Sequence, residues 1–189
     1  MLSSITPLGQ RGRGMSWART VVAFWVGAIT GGAIVFGVIG LIGSFLSIPS
    51  LNPWYSVVVL LAAAALDLLG VKAPGPHRQV DEDWLGRYRD WVVGLGFGAQ
   101  LGAGFVTIIP SFGTWAMFLL AAASGFPLAP LLGVAFGVGR SLLLISTARV
   151  RSTPALADTM RRFNGAERRA SWLAVAAYGV VIMVGLYVA

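Results

Sequence analysis

The chain has no cysteine and one histidine, His77, in 189 residues. The first absence excludes a disulfide framework, a thiol relay and a thiolate metal site, and the second leaves too few ligands for another transition-metal centre. Redox chemistry by the protein's own side chains is not expected, and neither is a cofactor or metal. Charge is scarce as well: 11% of residues are Asp, Glu, Lys or Arg, with seven acids against fourteen bases. No cluster of His, Asp and Glu and no nucleophile with a base stands out, so the sequence does not read as an enzyme.

What is there is apolar. Hydrophobic residues make up 57% of the chain and the mean hydropathy is +0.79, outside the range of a domain with a polar shell. Lipid is therefore the expected solvent and first partner. The fold class that follows is all-α, a polytopic membrane bundle. An open strand in hydrocarbon would leave backbone groups unpaired, and the runs lack a barrel's short alternation. A net charge of +7 would suggest nucleic acid in a soluble protein. Here the basic residues flank apolar runs, which points to membrane orientation and to no nucleic-acid partner.

The pattern predicts a cytoplasmic arm over 1–16 and one transmembrane domain over 17–189, with spans near 18–46, 54–71, 91–123, 129–148 and 171–188. The first follows Arg11, Arg13 and Arg19 as a signal peptide would, but Val21 to Leu46 is 26 residues without a charge. That exceeds a secretory h-region and suffices to cross about 30 Å of hydrocarbon, so an uncleaved helix is expected. Met15 offers an alternative start.

Thirteen of the fourteen basic residues fall in the arm and the first turn after it (Arg11, Arg13 and Arg19), the 72–90 loop and the 149–170 loop. All three lie on one side only if 91–124 makes a single net crossing. The outcome is five crossings in the cell membrane (plasma or inner), N-terminus cytoplasmic and C-terminus outside. A straight helix over 91–123 would be about 50 Å long, too long for one crossing. The run "TIIPSFGTW" offers the break, at Pro110 to Gly113, where proline cannot donate a hydrogen bond and glycine permits a bend.

Gly94, Gly98 and Gly102 recur at four-residue spacing, as do Gly27/Gly31 and Gly133/Gly137. Such faces let membrane helices approach closely, and packing within the chain is expected ahead of a homo-oligomer face. In the 72–90 loop, Asp81 is a candidate helix cap, and Trp84, Tyr88 and Trp91 suit an aromatic face at headgroup level. The arginines of 149–170 suit anionic lipid or a cytoplasmic protein partner.

Arg140 is the one basic residue away from the flanks. A charge there signals either a buried ion pair, for which Asp67 is the natural partner, or a path for a solute. Gln100 adds an uncharged donor and acceptor, read first as an interhelical hydrogen bond. Ser111 or Thr114 is expected to cap the half-helix after the break, whose N-terminus would suit an anion or carboxylate if Arg140 converged on it. The candidate solute-binding set is thus Asp67, Gln100, Pro110, Ser111, Gly113, Thr114 and Arg140.

The segment "WVVGLGFGAQLGAGFVTIIPSFGTWAMFLLAAASG" and the apolar helix after it resemble the broken helix of the cytochrome c biogenesis and DsbD transmembrane-domain family, within the LysE-type transporter superfamily. "FWVGAITGGAIVFGVIGLIG" looks like that family's glycine-spaced helix after its first Pro-Cys segment. The resemblance implies a broken-helix transporter scaffold over residues 21–148. Where the family has Pro-Cys this chain has Pro110-Ser111, and charge parity supports five crossings with the first broken helix missing. Thiol activity is thereby withdrawn. What the sequence leads one to expect is a transporter-like protein that binds or moves a small solute, an anion if Arg140 converges on the break, or else a non-transporting membrane subunit that meets a partner through its basic loops.

Overall fold

The computed structural model describes residues 16–46, 53–76, 87–106 and 111–145, with isolated positions from 6 to 14, at 48 and 109, and from 148 to 161. Among them the structure is all-helical: α1 (Trp17–Phe45), α2 (Pro53–Leu68), α3 (Asp90–Ala103), α4 (Phe112–Ser124) and α5 (Leu128–Ile145). Helices thus stand at four of the five expected positions within a few residues, and among the described residues α1 is the one long and apolar enough to cross a membrane. The fifth, 171–188, lies outside the described residues, as do Pro110, Asp81 and Trp84. The second span is shorter than expected: α2 stops at Leu68, Gly70 turns with φ +72°, and 71–76 is not helical.

α1 is the axis of the bundle, and α3, α4 and α5 all pack on it. Its 29 residues are long and apolar enough to cross a membrane, running about 43 Å at 1.5 Å per residue. Glycine sets how closely its partners lie. A β-carbon at Gly94, Gly98 or Gly102 of α3 would overlap the carbonyls of Thr20, Phe24 or Ala28, in that order. The two helices therefore run parallel with their backbones in contact, as the four-residue spacing leads one to expect. α5 returns antiparallel: Pro130 lies beside Gly37, Gly133 meets Gly32, and Gly137 meets Ala28.

α4 takes the second half of α1 in the same direction as α3. Phe118 packs on Phe36, and Gly40 and Gly43 lie against Ala121 and Ala122. The stretch from Asp90 to Ser124 accordingly advances one way along α1, with an interruption over 104–111. That interruption opens earlier than the expected Pro110–Gly113. Gly104 adopts φ +81° as the last turn of α3 ends, a conformation that disfavours any residue with a β-carbon. α2 lies outside α4 and antiparallel to it, with Leu60 and Ala63 packed on Ala116 and Leu120.

Side-chain hydroxyls in this bundle bond to their own helix. Thr20, Thr30, Ser44, Ser124 and Ser141 each donate to the carbonyl four residues back. This satisfies the hydroxyl without water or a neighbouring helix. The N-terminal arm is partly folded in: Thr6 and Gln10 are fully buried, and Gln10 Oε1 lies 3.4 Å from Thr20 Oγ1.

Candidate functional site

The interruption between α3 and α4 is where the candidate residues were expected to meet. Ser111 is extended (φ −150°) at the N-cap position of α4, but its side chain makes no capping bond. Asp67 does so instead. From the last turn of α2, its Oδ1 accepts the Phe112 backbone N–H at 2.8 Å. The expectation of a Ser111 or Thr114 cap is corrected: buried Thr114 supplies only its backbone N–H to the Ser111 carbonyl. A carboxylate at the positive end of α4 satisfies both an orphan donor and the helix dipole.

Side chains also pack the described part of the interruption. Trp115 Nε1 donates to the Pro74 carbonyl at 2.9 Å, and Gly75 lies against buried Ile109. The non-helical stretch after α2 thus packs against the interruption. On its inner side Phe36 meets Phe118 and Phe136 at centroid distances of 5.2 and 5.1 Å, and Gly104 abuts the rings of Phe118 and Phe136. Aromatic packing of this kind fills the bend with carbon.

Arg140 lies one helical turn beyond Phe136 on α5, and its guanidinium carbon sits 5.5 Å from the centroid of that ring. Its Nη1 is buried with no hydrogen-bond partner. The expected pairing with Asp67 does not form, because α2 packs on α4 and ends at the N-terminus of that helix, while α5 carries Arg140 past the aromatic cluster. A cation on a ring face is favourable by about 0.5–2 kcal/mol, but it leaves a buried donor unmet, which costs about 1–3 kcal/mol. Gln100 is half-buried on α3. It stands at the level of Arg140, since Gly102 and Gly137 flank the same Ala28 carbonyl.

The candidate residues therefore form two groups. Asp67, Ser111, Gly113 and Thr114 gather at the start of α4, while Gln100 and Arg140 stand nearer the N-terminal end of α1. Pro110 lies outside the described residues.

A third polar centre was not foreseen. Asp90 is 7% exposed at the start of α3. Its Oδ2 accepts the Ser16 N–H at 3.3 Å and pairs with Arg19 Nε at 3.2 Å, while its Oδ1 accepts the Trp91 N–H at 2.9 Å. One carboxylate thus serves the first turns of two helices. The available signal was its position, an acid directly before an apolar run.

The described residues contain no group of His, Asp and Glu arranged to hold a metal. No protein-family model, no curated protein and no solved structure matches the chain.

Proposed function

We propose that the chain is a multi-pass membrane protein of transporter-like design that binds a small anionic solute at Arg140. Several features support the membrane setting. Val22, Val26, Ile34, Val38, Leu41 and Phe45 form an exposed apolar stripe down α1, and the hydroxyls around it bond within their own helices. The one-way advance of α3 and α4 along α1 supports a single net crossing over 91–124. With the charge asymmetry it supports five crossings, N-terminus inside.

The observation that carries the solute reading is the buried, unpartnered Nη1 of Arg140. A guanidinium in this state gains most from an anion, which would supply the missing acceptor and neutralise the charge. Gln100 at the same level offers an uncharged second contact, and the Asp67-capped start of α4 no longer offers one. In vesicles containing the purified protein, uptake of acetate or inorganic phosphate should fall at least about tenfold in Arg140→Gln. Arg140→Lys should keep part of it, because the charge persists without the two-pronged geometry. Unchanged uptake in Arg140→Gln would remove the proposal.

The second reading is a non-transporting subunit held in the membrane by these helices. The packed rings of Phe36, Phe118 and Phe136 favour it, since they close the bend that a transport path would use. Cross-linking in native membranes that captures a stoichiometric protein partner, with no uptake of either anion, would select it.

A further inference from the structure

A shallow groove of about 470 Å³ runs along the outer surface of α1 and α3, lined by Ala18, Arg19, Val22, Ala23 and Trp91. Its floor is apolar and its rim carries a cation. The Arg19 side chain is 70% exposed, yet its Nε is held by Asp90. The guanidinium is thus fixed in place with its side chain still largely open to an incoming anion, while Asp90 offsets part of its charge. Arg87 and Arg89 are exposed just before α3 begins, so among the described residues the cations beside the groove outnumber the one acid, Asp90. Trp91, half-exposed beside Arg19, has the amphipathic character of a residue at headgroup level.

We infer that this groove is a binding site for one anionic phospholipid, with its phosphate at Arg19 and an acyl chain along Val22 and Ala23 over Trp91. The inference rests on the membrane reading above and goes beyond it, because it selects lipid by headgroup charge. Charge complementarity makes the choice: an apolar furrow alone would take any chain, whereas a pre-set guanidinium at its rim discriminates against a zwitterionic headgroup. One basic residue near the surface corresponds to a preference of about fivefold.

The delipidated full-length protein in neutral detergent tests this, with dioleoyl phosphatidylglycerol and dioleoyl phosphatidylcholine titrated separately and bound lipid counted by native mass spectrometry. One phosphatidylglycerol should bind about fivefold more tightly than phosphatidylcholine. Arg19→Gln should erase the preference. Val22→Trp fills the furrow while leaving the Arg19–Asp90 pair, and it should lose both lipids while unfolding at an unchanged temperature. Equal binding of the two lipids by the unaltered chain overturns the site, and so does a preference that survives both substitutions. A dimer that Val22→Trp converts to monomer would overturn it too, by assigning the groove to a second copy. Alkaline carbonate washing of native membranes keeps the two inferences apart. Release of the chain defeats the membrane reading, whereas retention without a headgroup preference defeats only the groove.

Discussion

Asp67 and Asp90 each place a carboxylate at the start of a helix, and for Asp67 that helix is not its own. Losing a cap of this kind costs about 1–2 kcal/mol, so Asp67→Ala should lower stability by that amount. Asp67→Asn, which keeps an oxygen acceptor, should lose only part of it. Ser111→Ala should stay within about 0.5 kcal/mol, because the Ser111 side chain caps nothing. Unfolding in mixed micelles followed by circular dichroism compares the three, and equal losses at Ser111 and Asp67 would refute the assignment. The sequence pointed to Ser111 because a serine before a restarting helix is the local signature of a cap. The acceptor in place comes from 45 positions away, and no local pattern encodes such a partner. Arg140 stood out in the sequence as a lone charge in an apolar run. Its neighbour Phe136 lies a turn away on the same helix, yet the pairing inferred for it was with a different helix.

At the scale of elements, close approach was legible and its partner was not. Gly94, Gly98 and Gly102 announce a small-residue face by spacing alone. Nothing in that spacing says that the face meets Thr20 to Ala28 in parallel, because many pairings of glycine-lined helices satisfy the same pattern. The contact gives an uneven prediction. Gly98→Leu must displace the Phe24 backbone and should cost about 1–3 kcal/mol or more. Gly139 of α5 has open space where a β-carbon would go, so Gly139→Ala should be neutral or stabilising by up to about 1 kcal/mol. Thermal unfolding in detergent reads both, and a harmless Gly98→Leu would contradict the packing. The interruption was found in the sequence from span length and proline. Its true opening at Gly104 was hidden among the other glycines of α3, since only the backbone tells a packing glycine from a turning one. The ring cluster was invisible for another reason: Phe36, Phe118 and Phe136 come from three helices.

For the whole molecule the decisive quantity is the number of crossings. The described helices supply a long apolar axis and a two-part element advancing beside it, and the five crossings proposed above add the requirement that the basic loops lie on one side. Because the chain has no cysteine, single cysteines report topology without background. A cysteine at Ser50 should react with an impermeant maleimide from outside intact cells, whereas one at Ser152 should react only after permeabilisation. Reaction of both from the same side would eliminate five crossings. The all-helical class was legible in the apolar composition, whereas the number of crossings stands on the charge distribution alone. The polar anchors within the bundle depend on contacts between distant parts of the chain, where both are silent.

Asp90 also sets an order of events during synthesis. The Ser16 backbone N–H and its carboxylate partner are 74 positions apart, so α1 is synthesised with its first turn unclasped. Until α3 follows, Arg19 lacks its carboxylate partner, and α1 has no register set against α3. Arrival of Asp90 fixes the register of α3 against α1, and every glycine contact further along inherits that alignment.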